Sequence, residues 1–185
     1  MLLRNFGKNK NMTVKEFIEG VFLGELEQMT IGPDGLASHP YVGFSMIAAY
    51  IEVLGACLDN EDWSKQGLSE SRFRAAITEL FPVKYHQYNQ KGNQFDLYVG
   101  LRCSLVHALQ PGASIGLSER KHEIKANTSN KHLTIQNNEL LLVYEDLLND
   151  FKDACQKVIT MIDDKELSGS KVYNHKISVP GDTIN

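Results

Sequence analysis

Pro40-Tyr-Val-Gly-Phe-Ser-Met-Ile-Ala-Ala-Tyr-Ile-Glu-Val-Leu-Gly-Ala-Cys-Leu58 is the stretch on which the fold turns. It is apolar on every side apart from Ser45 and Glu52. Pro40 has the fixed φ of a first helical turn, and a helix with no polar face belongs in the centre of a packed domain. The run approaches membrane-spanning length. Glu52 lies inside it and basic anchors are missing from its flanks, so a protein core is expected and no membrane span.

Outward from this helix the pattern stays helical. Thr13-Val-Lys-Glu16 forms a capping box, and Val14, Phe17, Ile18, Val21, Phe22 and Met29 recur at helical spacing until Ile31-Gly-Pro-Asp-Gly35 stops them. On the other side Ser69 is placed to cap a helix carrying Phe73, Ala76, Ile77 and Leu80, which Pro82 ends. Residues 85–93 read as loop. A further apolar helix is expected over 94–109, closed by Pro111-Gly112. The last helix is the plainest: Tyr144, Leu148, Phe151, Cys155, Val158 and Ile162 step by fours and threes.

Between them, Ile124, Leu133 and Ile135 alternate with polar residues around Asn127-Thr-Ser-Asn130, which predicts a β-hairpin insertion over about 113–137. The expected fold is therefore mainly α: a helical bundle of four to five helices with a small β-hairpin insertion. Residues 1–12 form an N-terminal lead, 13–164 a single domain, and 165–185 a polar tail expected to be mobile.

With 185 residues, 42% of them hydrophobic and 23% charged, the chain is long enough for one well-buried core. A net charge of −4 gives no overall attraction for nucleic acid, so any polyanion site must be local. Cys57, Cys103 and Cys155 are far apart in apolar stretches, as suits free thiols in a reducing compartment rather than a zinc site. Apolar surroundings also make them poor nucleophiles. Arg4, Lys8 and Lys10 are followed by no apolar signal core, and a cytoplasmic location is expected. Phosphate-loop, dinucleotide-binding and His-Glu-x-x-His motifs are missing, so no cofactor and no metal are implied.

One constellation carries chemistry. Leu101-Arg-Cys-Ser-Leu-Val-His107 places Arg102 and His107 in an otherwise apolar helix, where burying them needs a reason. Histidine as a residue type passes protons near neutrality, and arginine offers a permanent fork of donors to a charged phosphorane. Five residues on an ideal α-helix separate the two by about 140°, so a shared cleft depends on the reach of Arg102 and on the opening of the last turn. Glu52 and Ser104 are the candidates to stand behind the pair. In a purely structural alternative, Arg102 pairs with Glu52 inside the core and His107 caps its helix. Both hold together if Glu52 orients Arg102.

Candidate substrate contacts are Lys84, Tyr85, His86 and Tyr88 in one loop, and Arg120, Lys121, Lys125 and Lys131, with His122 and His132, in the expected hairpin. RNA stacks on such rings and pairs with such cations. Glu119 and Glu123 dilute the second group, which equally suits a solvated charged loop.

The element order over 41–162, with Phe81-Pro82, Leu97-Tyr98 and the Arg-x4-His spacing of Arg102 and His107, resembles the HEPN superfamily of helical domains. The resemblance implies a metal-independent endoribonuclease: a base takes the 2′-hydroxyl proton, the oxygen attacks the adjacent phosphate, and a 2′,3′-cyclic phosphate results. It further implies a homodimer that pools two such pairs, RNA as substrate, and a toxin-like role in defence or stress response. Cys103 departs from the polar residue that active members carry after the arginine, and Leu109 stands where some toxin relatives have a modifiable tyrosine. The alternative, of a different class, is a non-catalytic HEPN-like module for dimerisation or for binding a ligand or protein.

Overall fold

The computed structural model describes residues 10–126 and 131–179. They are mainly helical, with two small sheets at the periphery. Strand β1 (Lys10–Thr13) leads into the first helix through the expected capping box. The Glu16 amide donates to Thr13 Oγ1 at 3.2 Å, and the Thr13 amide donates to Glu16 Oε2 at 2.9 Å. The helix is α-wound over Val14–Phe17, π-wound over Ile18–Glu25, and α-wound again over Leu26–Thr30. The chain then reverses through Gly35, whose φ of +74° suits a residue without a Cβ.

The helix Pro40–Leu58 is the hub, burying Phe44, Ile47, Ile51 and Leu54. By length and composition it is long and apolar enough to cross a membrane; half of its most apolar window is buried inside the fold, against other helices of the chain. Two glycines let neighbours come unusually close. A Cβ on Gly55 would lie 1.8 Å from the Arg72 carbonyl oxygen, so the helix Ser69–Leu80 rests on bare backbone. A Cβ on Gly43 would lie 2.3 Å from the Tyr144 hydroxyl, at the start of the long helix Tyr144–Asp163. That helix buries Leu147, Leu148, Phe151, Ala154 and Val158, and the first helix adds Phe22, stacked on Tyr50 at 4.0 Å. Each fully buried Leu, Ile or Phe contributes about 1.5–3 kcal/mol relative to exposure.

Three expectations are corrected. Ser69 does not cap its helix: Leu68 holds that position, and the Ser69 hydroxyl is drawn to Glu52 instead. The loop at 85–93 begins as a 3-10 turn over Val83–Tyr88. The insertion at 113–137 is more than a hairpin. Strand β2 (Ile115–Ser118) runs parallel to β4 (Glu139–Val143), β3 (Thr134–Gln136) runs antiparallel to it, and the sheet order is β2-β4-β3. The hairpin turn is Asn137-Asn138, with φ of 50° and 65°, the left-handed pair that a two-residue turn favours. Arg120–Ala126 is helical, and the expected turn at 127–130 lies outside the described residues.

The tail expected to be mobile folds back as far as residue 179. Leu167 and Val172 are buried, a short helix spans Lys171–Asn174, and β5 (Lys176–Val179) pairs antiparallel with β1. Charge and ring contacts anchor it. Lys171 binds the Asp59 carboxylate, which also takes Arg72 Nε at 2.7 Å, and Lys171 lies 5.0 Å from the Trp63 ring centroid.

Candidate functional site around Arg102 and His107

The helix expected over 94–109 is π-wound over Tyr98–Cys103 and α-wound only over Ser104–Ala108. Local contacts explain the wide turn. Both the amide and the hydroxyl of Ser104 donate to the Val99 carbonyl five residues back, the hydroxyl at 2.9 Å. The returning chain lies across it, with the Gly112 amide donating to the Gly100 carbonyl at 2.8 Å. A Cβ on Gly112 would fall 2.9 Å from Gly100 Cα, and one on Gly100 would fall 2.6 Å from the Ile115 side chain. The wide turn closes at Cys103, so the step from Arg102 to His107 is almost wholly α-wound and their approach rests on side-chain reach.

Arg102 Nη1 stands 3.3 Å from His107 Nε2. A guanidinium has no acceptor, so in this contact Arg102 donates and His107 Nε2 accepts. Arg102 Nη2 is 2.5 Å from Glu52 Oε2, and the two side chains are 15% and 22% exposed. Arg102 Nε is buried with no hydrogen-bond partner, so the fork is not saturated. His107 is exposed, and Leu109, two residues on, is left-handed at φ 53° and closes the helix.

Two residues behind the pair, Ser69 and Tyr98, were not named as site candidates from the sequence. The Glu52 oxygen that takes Arg102 also accepts the Ser69 hydroxyl at 2.7 Å, and the Tyr98 hydroxyl donates to Ser69 Oγ at 3.2 Å. The Tyr98 ring lies beneath two guanidinium groups, Arg74 at 5.5 Å and Arg102 at 5.9 Å. Burial holds its phenol above the usual value, and the Cys103 thiol beside it adds to this. The four-residue spacing of Tyr98 and Arg102 was the available signal. Glu52, Ser69 and Tyr98 thus come from three helices and form one chain of polar contacts ending at Arg102.

Ser104 touches the backbone of its own π-turn rather than Arg102 or His107, so its place is in the winding. The surface candidates divide. Tyr85 and Tyr88 are 1% and 7% exposed, which removes both rings as stacking surfaces. The Tyr85 hydroxyl donates to Asp150 Oδ2 at 2.7 Å and meets His132 Nε2 at 2.7 Å. Lys84 is held 2.7 Å from the same Asp150 oxygen, and His86 is half-buried. Arg120 binds Glu123 at 2.7 Å and also Asp146, so its charge is countered. Lys121 is exposed and 3.8 Å from Asp34, and Lys125 and Lys131 are exposed. Among the described residues no three His, Cys, Asp or Glu side chains are grouped to hold a metal ion.

Cys57 and Cys155 are buried, and burial pushes the Cys57 thiol up to about 12 and Cys155 also upward, so neither is a ready nucleophile. Comparison with protein-family models, curated proteins and solved structures returns no match. The site is therefore read from its own geometry.

Proposed function

We propose that this chain is a HEPN-like bundle acting as a metal-independent endoribonuclease, with Arg102 and His107 as its catalytic residues. The observation that carries the reading is the 3.3 Å approach of Arg102 Nη1 to an exposed His107 Nε2, with Arg102 held from behind by Glu52. In this reading a phosphate enters between the two side chains. His107 Nε2, released from Arg102, takes the 2′-hydroxyl proton, and the 2′-oxygen attacks phosphorus. The 5′-oxygen leaves as its bond to phosphorus breaks and takes a proton from water, giving a 2′,3′-cyclic phosphate and a 5′-hydroxyl. Arg102 donates to the equatorial oxygens as charge builds on them. Proton transfer of this kind typically supplies about 10²- to 10⁴-fold, and one preorganised donor about 10²- to 10³-fold.

Val99, Val106 and Leu109, at 56%, 37% and 71% exposure, and Tyr41 and Val42 nearby give this end of the molecule an apolar rim. That rim supports a homodimer in which two copies bring their pairs to one cleft. A second reading, a non-catalytic binding module, is favoured by the neutralisation of Arg102 by Glu52 and by Cys103 at the next position. The test is incubation of a mixed RNA pool with the protein in EDTA. Fragments ending in 2′,3′-cyclic phosphate support the ribonuclease; an intact pool at high protein concentration supports the module.

A further inference from the structure

Apart from the Arg102–His107 pair, the surface opens into a cavity of about 260 Å³. Tyr41 joins the two places. Its ring lines the cavity, and its hydroxyl donates to the Leu109 carbonyl, just past His107. Tyr41 and Phe44 of the central helix form one side; Leu117 and Ser118 of β2, then Glu119 and His122, form the other. The walls are aromatic and aliphatic, and Ser118, Glu119 and His122 supply the polar groups. Small-molecule sites commonly occupy about 300–1,000 Å³, so this one suits a single planar ring system rather than an extended ligand.

Glu119 decides what that ring must carry. It is half-buried, and its backbone carbonyl accepts the Glu123 amide at 3.2 Å. Its carboxylate has no hydrogen-bond or ion-pair partner among the described residues, whereas neighbouring Glu123 is committed to Arg120. A carboxylate accepts two parallel N–H bonds when a partner offers them side by side. Among the RNA bases, only guanine does so, through N1–H and the N2 amino group on its Watson–Crick edge. Adenine sets one donor beside one acceptor there, cytosine one donor beside two acceptors, and uracil sets one N–H between two carbonyls. A base in this cavity would lie against Tyr41, whose face is a stacking surface for unpaired RNA.

We infer that this cavity is a guanine subsite, with Glu119 reading the base and Tyr41 stacking on it. The placement of that base in an RNA substrate rests on the ribonuclease reading. The match between carboxylate and guanine edge does not. Cleavage is accordingly directed to linkages next to guanine.

Binding is measured first, by calorimetric titration of guanosine 3′-monophosphate and adenosine 3′-monophosphate into wild type, Glu119→Gln and Tyr41→Leu, each checked for native circular dichroism. The guanine nucleotide is expected to bind at least tenfold tighter than the adenine one. Glu119→Gln, which keeps the volume and removes the charge, is expected to erase that preference; Tyr41→Leu is expected to weaken both nucleotides. Equal affinities in the wild type, no binding to folded protein, or a preference unchanged in Glu119→Gln would each overturn the subsite. Mapping the cuts in a defined RNA separates the two ideas. Cleavage without guanine preference removes the subsite and leaves the ribonuclease, whereas selective guanine binding by an inert protein removes the ribonuclease and leaves the subsite.

Discussion

Glu52 Oε2 accepts from Arg102 Nη2 at 2.5 Å and from the Ser69 hydroxyl at 2.7 Å, so one carboxylate oxygen fixes the arginine from a neighbouring helix. Such a contact orients Arg102 toward His107 and keeps its charge countered where only 15% of the side chain is exposed. Glu52→Gln is expected to reduce RNA cleavage at least tenfold while lowering stability by about 1–3 kcal/mol, the cost of leaving a partly buried charge without its partner. Turnover and unfolding are compared at a temperature where both proteins are folded. A fall in stability with unchanged turnover would assign Glu52 to the fold alone.

Gly55 reports on the core in isolation. Its missing Cβ lets the helix Ser69–Leu80 lie against the central helix, so Gly55→Ala forces backbone apart and is expected to destabilise by about 3 kcal/mol. Gly24→Ala meets nothing closer than 3.4 Å and should leave stability unchanged or slightly higher. Urea unfolding distinguishes the two; equal effects would mean that the helices do not touch at Gly55.

His132 predicts a pH dependence. Its Nδ1 accepts the Val143 amide at 3.0 Å and its Nε2 meets the Tyr85 hydroxyl at 2.7 Å, an arrangement that holds the ring neutral. Burial first, then the charge of Lys84, push it down to about 4 from an ordinary 6.5. The unfolded chain therefore binds the proton more tightly. The stabilisation is complete above pH 6.5 and is lost as the pH falls toward 4, to a limit of about 3 kcal/mol. Unfolding free energies between pH 7.5 and 4.5 should show this slope in the wild type and a shallower one in His132→Gln; parallel slopes would refute it.

Removing residues 165–185 tests the folded tail. Leu167 and Val172 leave the core, β1 loses its partner strand, and Asp59 loses Lys171. The truncated protein should melt lower, with a loss of about 3–6 kcal/mol from the two apolar side chains alone. An unchanged melting temperature would show that this segment is not held in solution.

Features set by neighbouring residues were legible in the sequence. Thr13 and Glu16 announced a capping box, Pro40 a helix start, and the step from Tyr144 to Ile162 an amphipathic helix, because each signal lies within a turn or two of its effect. Features that join distant residues were not. Lys10 pairs with Val179 through strands of four residues, too short for alternation to stand out. Ser69 carries the mark of a cap, yet Glu52, seventeen residues earlier, claims its hydroxyl. At the candidate site Arg102, His107 and Glu52 were named from residue type. What α-helical spacing rules did not describe is the π-winding of Tyr98–Cys103, where Gly112 crosses Gly100. The rings of Tyr85 and Tyr88 read as surface because loops usually are, whereas both point into the core.

The central claim is that Arg102 and His107 cut RNA. Its most direct measurement is the single-turnover cleavage rate of one defined RNA, in EDTA, by wild type, His107→Ala and Arg102→Ala, all verified as folded. The account predicts cyclic-phosphate ends from the wild type, a loss of about 10²-fold or more in each variant, and no cleavage where the 2′-hydroxyl is replaced by hydrogen. Equal rates in all three proteins, or cleavage of the 2′-deoxy linkage, would contradict it.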